Sequence, residues 1–544
     1  MAGKESFTTL IQTTIRSLLS LGINMMPALS KKSNVVLFCT DQLRFDALSC
    51  TGNSIVNTPN IDRIAQNGVS FTNHITPCQI CAPSRASMFT GLYPRHHGLT
   101  RNGVALDPSY EHLTHVMMEN GVRTYGVGKF HFQPILASAA YGMPESNAFW
   151  SLPESEDWRG PFYGFQNVDL VIGESFTSTR GGHYGRWLER EHPGVADLYL
   201  PENGLDFELD EMDEVWRSAV PAELHYNSWI AGQATDFVAR TDKDNPFFLF
   251  VSFPDPHHPF SPPAPYCDMF DPAEMPEPAY IEGELDAMPS YIGKETWTDG
   301  FEGDISYKDF LAEGKFAIEQ GTWQKTSAFS IQSMHKIIAY THAMVKMIDD
   351  CVGRVLSSLD ARGLAENTIV IFTSDHGELL GDHGLIRKGP MPYRQLLQIP
   401  LVMSGPGIPK GQTLDALTSH LDIKETLLDL LGLQGRPTDG TSLVPLLDGS
   451  SSKVRDTAFA EYFPRSVPNQ YNQTILSGDM RLTLYPKAEE HGWGELFDHS
   501  QDPGEHKNLY QDAMRRDEIA ALTRDLERNL PLQADMPQRI LGFY

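Results

Sequence analysis

Short, mainly apolar runs that end in ionisable residues recur along this chain. They occupy residues 34–40, 247–253 and 368–373, and they are followed by Asp41-Gln42, by His257-His258 and by Asp375-His376. Runs of this kind are typical of buried strands in a parallel sheet. Because open α/β sheets bind ligands beyond the carboxyl ends of their strands, we expect these three junctions to converge on one crevice.

Helical periodicity separates the predicted strands. One pattern begins at Pro59 and ends near Gly68, and residues 333–359 carry apolar side chains at close to helical spacing. This alternation predicts an α/β fold with a large, mostly parallel sheet flanked by helices. Residues 133–225 and 261–330 are rich in Pro, Gly, Trp and acidic residues. We interpret both as long insertions over the mouth of the site rather than as core.

The pattern changes to shorter elements after Leu447. Residues 456–463 and 474–485 are strand-like and residues 512–530 are helical, which predicts a smaller C-terminal unit of sheet plus helix. We therefore divide the chain into an N-terminal extension (1–33), an α/β catalytic domain (34–455) and a C-terminal subdomain with a tail (456–544). Glu5 and Arg16 interrupt the apolar part of the extension. This favours a cytoplasmic location over a periplasmic or secreted one.

Composition narrows the classes of partner. The 544 residues include 43 Lys and Arg against 70 Asp and Glu, a net charge of −27, which disfavours a nucleic-acid partner. No apolar run is long enough to cross a bilayer, so we expect no membrane anchoring. The same negative charge would repel an anionic substrate, so any anion site must be made positive locally. Six cysteines in so long a chain do not indicate a disulfide framework.

The most specific chemical motif is Cys81-Ala82-Pro83-Ser84-Arg85. Together with residues 91–95 (GLYPR) and 126–131 (GVGKFH), it makes residues 76–132 resemble the type I sulfatases of the alkaline-phosphatase-like superfamily. The resemblance extends over roughly residues 34–530 and implies that fold. It also implies that a formylglycine-generating enzyme oxidises Cys81 to formylglycine, whose hydrated aldehyde attacks sulfate to give a covalent intermediate.

Other interpretations of Cys81 remain. An isolated cysteine is most often an ordinary buried thiol. A cysteine hydrolase would need a nearby base, for which His74, His96 and His97 are the neighbours in sequence. Cys78 forms a C-x-x-C pair with Cys81, the spacing of redox and zinc sites, although the following Pro-Ser-Arg suits the sulfatase motif better.

The resemblance implies a set of metal ligands. They are Asp41, Gln42, Cys81 as formylglycine, Asp375 and His376. Gln42 stands where many sulfatases have a second Asp, which lowers the ligand charge by one and resembles choline sulfatases and phosphonate monoester hydrolases. Taken singly, Asp41 and Asp375 could be turn or cap residues. Mainly oxygen ligands favour Ca²⁺, with Mg²⁺ and Mn²⁺ as alternatives.

The resemblance also implies a ring of cationic and polar residues. Arg85 holds the nucleophile and a ligand carboxylate, and Lys129 and Lys388 bind sulfate oxygens. His257 is the expected general acid, and His131 would orient or deprotonate the formylglycine hydrate. The remaining member, Asn102, lies where relatives with Gln at the second metal position place a substrate-binding asparagine; a turn role in Arg101-Asn102-Gly103 is the alternative.

These residues predict a sulfuric ester hydrolase of arylsulfatase type, acting on a small sulfate ester. The alternative is a phosphonate monoester or phosphodiester hydrolase that uses the same site, or an enzyme that does both. Gln42 and Asn102 favour the alternative, whereas Lys129 and His131 oppose it. A catalytically inactive binding protein would require loss of Cys81 or a metal ligand, and all are present. The sequence leaves the leaving group and homo-oligomerisation open.

Overall fold

The computed structural model describes residues 33–206, 214–284, 289, 323–325, 330–464, 470–488, 492–532 and 540–543. Its strands, in chain order, are β1 (Asn34–Thr40), β2 (Gly68–Phe71), β3 (His74–Ile75), β4 (Arg123–Gly128), β5 (Leu136–Ala137), β6 (Asn167–Leu170), β7 (Phe247–Phe253), β8 (Trp323–Lys325), β9 (Thr368–Ser374), β10 (Leu385–Arg387), β11 (Leu401–Ser404), β12 (Gln412–Leu414), β13 (Thr418–Ser419), β14 (Thr457–Tyr462), β15 (Asn472–Ser477), β16 (Met480–Leu484), β17 (Gly494–Asp498) and β18 (Gly542–Phe543).

An eight-stranded sheet forms the centre of the fold, in the order β12-β2-β11-β9-β1-β7-β4-β6. The five strands from β9 to β6 are parallel, and β11 is antiparallel to both of its neighbours. The three predicted strands are β1, β7 and β9, and they are adjacent, with β1 in the middle. Their carboxyl ends therefore open at the same edge, as predicted.

Both faces of this sheet are covered, which explains why its central strands are apolar throughout. Along β1, Val35 and Leu37 pack into the apolar core on one face, and Val36 and Phe38 into the core on the other. The helices are α1 (Pro59–Gln66), α2 (Cys81–Thr90), α3 (Pro94–His97), α4 (Leu113–Glu119), α5 (Gly182–Glu191), α6 (Tyr226–Arg240), α7 (Ile331–Arg362), α8 (Arg394–Leu397), α9 (Asp422–Leu431), α10 (Val444–Leu447) and α11 (Arg516–Asn529).

The two helical predictions are confirmed. Helix α1 ends two residues before Gly68. Helix α7 is longer than its apolar pattern because Ser330 caps its first turn and Gly363, at φ 63°, ends it in the left-handed conformation that glycine favours. No helix among the described residues is both long enough and apolar enough to cross a membrane.

A smaller antiparallel sheet lies in the C-terminal part, in the order β14-β15-β16-β17, with α11 packed on it. The strand-like segment 474–485 contains parts of two strands, β15 and β16. The structure has a hairpin there, because Gly478, at φ 55°, and Asp479 form a two-residue turn between β15 and β16. The α/β class with a smaller C-terminal sheet is thus confirmed, while the exact domain boundaries stay a prediction.

The interpretation of residues 133–225 as an insertion outside the core is also wrong in part. Strand β6 lies within this segment and forms the edge of the central sheet, and Phe149, Phe162 and Phe165 pack into the core on one face. The short strand and its irregular surroundings carry no clear periodicity in the sequence. Much of the other proposed insertion, 261–330, lies outside the described residues.

Candidate active site

Three elements bring the predicted nucleophile and metal ligands together. Asp41 follows β1, Asp375 and His376 follow β9, and Cys81 is the first residue of α2. One potential ligand atom from each of these four residues lies within 4.8 Å of the others, and all four side chains are buried. The convergence predicted from the strand ends is therefore present.

Hydrogen bonds fix the orientation of the two ligands after β9. The Oδ1 atom of Asp375 accepts from the backbone N–H groups of Gln42 (3.0 Å) and His376 (2.8 Å). Nδ1 of His376 lies 2.8 Å from the carbonyl oxygen of Gly377, to which it donates when Nδ1 carries the proton. That tautomer leaves the Nε2 lone pair facing Cys81 Sγ, 3.2 Å away. Burial and Lys388 lower the pKa of His376 to about 4, so the ring is neutral and able to bind a metal.

Arg85 ties the nucleophile helix to both carboxylates. Its side chain is fully buried, one turn along the helix from Cys81. Nε donates to Asp375 Oδ2 at 2.7 Å, and Nη2 lies 3.4 Å from Asp41 Oδ2. Nη1 donates to the carbonyl oxygen of Lys129 and to Ser252 Oγ. These acceptors hold the guanidinium in place between the nucleophile helix and the two carboxylates.

Lys388 lies at the centre of the cluster. Its Nζ is 2.8 Å from Cys81 Sγ, 3.0 Å from Gln42 Oε1, 3.0 Å from His257 Nε2 and 3.2 Å from His376 Nε2. An ammonium group therefore contacts three of the five predicted metal ligands. The donor set around Cys81 suits a positive charge, which fits a divalent cation held by Asp41, Gln42, Asp375 and His376.

A second lysine completes the positive side of the site. Nζ of Lys129 is 2.8 Å from Asp41 Oδ2 and 2.9 Å from Glu174 Oε2. Burial alone would raise the pKa of Asp41, but the charges of Lys129, Arg85 and Lys388 hold it well below its usual value. Asp41 is thus ionised despite its complete burial. Sequence reasoning missed Glu174, which follows the unpredicted strand β6.

His257 lies in the loop that follows β7, beyond the carboxyl end of the strand. Its Nδ1 is 2.5 Å from the carbonyl oxygen of His258, its Nε2 faces Lys388, and its ring stacks on that of His258 at a centroid distance of 3.9 Å. Burial and the charge of Lys388 hold its pKa well below the usual value. The imidazole is therefore neutral in this state.

Gln42 is held by a residue that sequence reasoning missed. Its Nε2 donates to Glu378 Oε2 and lies 3.2 Å from His258 Nδ1, which directs Oε1 towards Lys388. Glu378 also accepts from the backbone N–H groups of Leu380 and Arg387. Its position directly after Asp375-His376-Gly377 is the signal that could have identified it.

His131 and Asn102 lie at the edge of the cluster. Burial first, and then Lys129, hold the pKa of His131 well below its usual value, so its ring is neutral in this state. Its backbone N–H donates to the buried carboxylate of Glu145, which sequence reasoning also missed. Asn102 Oδ1 accepts from the N–H of Ala82 at 3.2 Å, so this amide caps the nucleophile helix.

The surroundings of Cys81 disfavour a thiolate mechanism. Burial, and then the Asp41 carboxylate, raise the pKa of its thiol to about 12, so the sulfur is protonated near neutral pH. His96 instead pairs with Asp439, and the ring of His74 with Thr418 and His420. Cys78 packs with Ile80 and Tyr462 and is not part of the ligand cluster around Cys81.

Comparisons with known proteins identify the family of this chain. The sulfatase family model matches residues 33–433, and a model for the C-terminal region of N-sulphoglucosamine sulphohydrolase matches residues 381–531. An arylsulfatase of Clostridium perfringens is 29% identical over 517 residues, which cover 92% of this chain and 94% of that protein. A multifunctional alkaline phosphatase superfamily protein of Trinickia caryophylli is 29% identical over 528 residues, covering 91% and 93%.

The fold agrees with these sequence matches. The crystal structure of a phosphonate monoester hydrolase of Agrobacterium radiobacter superposes with a TM-score of 0.73 at 27% identity, covering 92% of this chain and 96% of that one. The family model spans more than half of the chain and includes every predicted site residue. This chain is therefore a member of the sulfatase family, with an alkaline-phosphatase-like fold.

Proposed function

We propose that this enzyme cleaves sulfate monoesters with a formylglycine derived from Cys81 as its nucleophile. One observation carries the proposal: Cys81 is a buried, protonated thiol whose sulfur lies beside two metal-type ligands and the ammonium of Lys388. A thiol so placed is a poor nucleophile. Oxidation to the aldehyde, whose hydrate carries hydroxyl groups, supplies a competent one at the same position.

Asp41, Gln42, Asp375 and His376 would hold the divalent metal that the family uses. When bound, such an ion withdraws charge from a sulfate oxygen and favours the deprotonated nucleophile. The donors are mainly oxygen atoms, so Ca²⁺ is our first choice and Mg²⁺ and Mn²⁺ are the alternatives. Side chains of the protein would bind the substrate, orient the nucleophile and transfer protons.

The cations of the site would bind the sulfate and orient the nucleophile. Lys388 Nζ contacts Cys81 Sγ and Lys129 Nζ contacts Asp41 Oδ2, and both ammonium groups would donate to the non-bridging oxygens of the ester. Arg85 fixes the start of α2 against Asp375, so the nucleophile cannot drift from the metal ligands. His131, neutral and buried, would accept a proton from the hydrate when sulfate leaves.

The proton for the departing alcohol would come from the pair of Lys388 and His257. In this state Lys388 donates to Nε2 of His257, and its charge keeps the imidazole neutral. A bound sulfate ester adds negative charge next to both groups, which favours the protonated imidazole. His257 would then donate to the bridging oxygen as the sulfur–oxygen bond breaks.

A phosphonate monoester or phosphodiester hydrolase is the second candidate. Gln42 and Asn102 favour it, as does the structural neighbour that hydrolyses phosphonate monoesters. All of these substrates are tetrahedral monoanions near neutral pH, so the same cations would bind either class. We place sulfate first because Lys129 and His131 match sulfatases, and we expect a weaker activity on phosphonates.

Steady-state kinetics on matched substrates test this order. Protein co-expressed with a formylglycine-generating enzyme would be assayed with 4-nitrophenyl sulfate, 4-nitrophenyl phenylphosphonate and choline sulfate, with Cys81→Ala protein as the blank. We expect the highest kcat/KM for a sulfate ester. A higher kcat/KM for the phosphonate than for both sulfates would reverse the assignment.

Mass spectrometry tests the maturation separately. The peptide that contains residue 81 should be about 18 Da lighter than its thiol form when the aldehyde is present. Full activity in protein whose Cys81 is entirely thiol would refute the proposed nucleophile.

A further inference from the structure

A second cluster of potential metal ligands lies apart from Cys81. It consists of Glu284, His383 and His506, and one ligand atom from each lies within 4.8 Å of the others. These residues come from three separate segments. Glu284 lies in the segment between β7 and α7. His383 lies in the turn between β9 and β10, and His506 lies in the loop after β17.

The carboxylate of Glu284 faces both imidazoles with one oxygen. Its Oε2 is 2.9 Å from His506 Nδ1 and 3.4 Å from His383 Nδ1, and the two rings lie 5.2 Å apart. The other oxygen, Oε1, accepts from the backbone N–H of Ile281 at 3.2 Å. One carboxylate oxygen thus anchors the side chain in its own turn while the other points at both Nδ1 atoms.

Packing holds the two rings in this arrangement. The side chain of His383 is fully buried and its ring stacks on Tyr393 at 3.8 Å with an interplanar angle of 7°. Its backbone N–H donates to the carbonyl oxygen of Ala279 at 2.8 Å. The ring of His506 lies over Gly504, where an added Cβ would be 2.7 Å from Nε2. A cluster that is fixed before binding loses little entropy when an ion enters.

The ligand chemistry points to a transition metal. Two imidazoles and one carboxylate are a common Zn²⁺ ligand set, and imidazole is a poor ligand for Ca²⁺ and Mg²⁺. We propose that Glu284, His383 and His506 form a second metal site that binds Zn²⁺. The Glu284 side chain is only 5% exposed and that of His506 20%, so the site is sheltered but reachable from solvent.

Such an ion would link three parts of the molecule. His506 belongs to the C-terminal part of the chain, and Glu284 to the segment between β7 and α7. His383 precedes Lys388 by five residues and lies on the segment that leads from the metal ligands to this lysine. Binding at His383 would therefore stabilise the segment that carries Lys388.

Metal content and thermal stability of the full-length protein test this site. Wild-type protein, His506→Gln and Glu284→Gln would be stripped with a chelator, dialysed against ZnCl₂ and analysed by elemental mass spectrometry. We expect the wild type to hold about one more Zn²⁺ per chain than either variant. Zn²⁺ should also raise the melting temperature of the wild type by several degrees, and that of the variants by less.

His499→Gln is the matched control. His499 lies in the same loop and pairs with Glu505 at 2.7 Å, outside the cluster. We expect this variant to keep the Zn²⁺ content and thermal shift of the wild type. Equal Zn²⁺ content in wild type, His506→Gln and Glu284→Gln would overturn the proposal and leave a hydrogen-bonded cluster. Sulfate ester turnover is not the readout, so a failure here leaves the proposed function untouched.

Discussion

Arg85 and Arg481 are the two largest fully buried side chains among the described residues, and both pair with two carboxylates. Arg481 donates to Glu505 at 2.6 Å and to Glu495 at 3.0 Å, and its guanidinium lies 4.7 Å from the ring centre of Phe497. Burial and ion pairing are therefore alike in the two regions, so neither property marks the catalytic one.

The two regions differ in the other groups that the paired carboxylates contact. In the C-terminal sheet, Glu505 pairs with His499 and accepts a hydrogen bond from the backbone N–H of Arg394. Both are ordinary structural partners. In the central sheet, Asp41 and Asp375 face Cys81 and His376, and Lys388 contacts four side chains at once. A catalytic cluster is thus recognised because several charged side chains face one nucleophile. In a structural cluster, each charged group is paired with its own partners and faces no nucleophile.

The largest expected effect is the loss of activity when Cys81, the nucleophile of the catalytic region, is replaced. Cys81→Ala should lower kcat/KM by about 10⁴-fold or more, the scale for loss of a nucleophile. The urea midpoint should change little, because the substitution removes one buried sulfur atom. Steady-state assays and urea unfolding of the same preparation measure both quantities. If the variant retained turnover, with the substitution verified by mass spectrometry, the region around Cys81 could not be distinguished as the catalytic one.

Arg85→Met and Arg481→Met compare the regions directly. Each leaves buried carboxylates without their cation, so each should cost about 3–5 kcal/mol in the free energy of unfolding. At a temperature where both variants are folded, Arg85→Met should also lower kcat/KM by about 10²–10³-fold, because it releases the nucleophile helix. Arg481→Met should stay within about threefold of the wild type. Equal losses of activity in folded protein would show that the clusters are not functionally distinct.

His257 sharpens the comparison within the catalytic region. If it protonates the leaving oxygen, His257→Ala should slow esters of weakly acidic alcohols by about 10²–10⁴-fold and esters of acidic phenols much less. The slope of log kcat/KM against the pKa of the leaving group should therefore steepen. His258→Ala serves as the control, since Nδ1 of this stacked neighbour faces Gln42. An unchanged slope in His257→Ala would make His257 a positioning residue.

The smallest effect concerns the pH dependence of the C-terminal cluster. Burial alone would raise the pKa of Glu505, but Arg481 and His499 hold it far below its usual value. A depressed folded-state pKa stabilises the protein above the unfolded value of about 4.3, and that stability is lost as pH falls below it. The urea midpoint of Glu505→Gln should therefore fall less than that of the wild type between about pH 6 and pH 3. Glu527→Gln, at an exposed position, should follow the wild type.

Strand ends were the most informative feature of the sequence. The apolar runs of β1, β7 and β9, with acids and histidines after them, were enough to predict a parallel sheet and one convergent site. Glu174 could not be predicted in this way, because it follows β6, a four-residue edge strand without a readable pattern. Glu145 accepts from the backbone N–H of His131, 14 residues earlier in the chain, and no periodic pattern in the sequence predicts this contact.

The hairpin at Gly478 shows a second limit. Residues 474–485 hold two strand-like stretches separated by Gly478-Asp479, and the chain reverses at this left-handed glycine. Glu378 could have been identified as a candidate site residue from the sequence, because it belongs to the same segment as Asp375 and His376. Its role in orienting Gln42 nevertheless depends on β1 and β9 being neighbours.

The complete burial of Cys81 sets an order of events in the life of this protein. The thiol has no exposed surface, and the side chains around it come from strands that are far apart in sequence. A modifying enzyme could not reach it once these strands have paired. Under the proposed mechanism, oxidation must precede folding, so the speed of folding limits the time in which the chain can become active. A chain that folds unmodified would remain a stable, inactive protein.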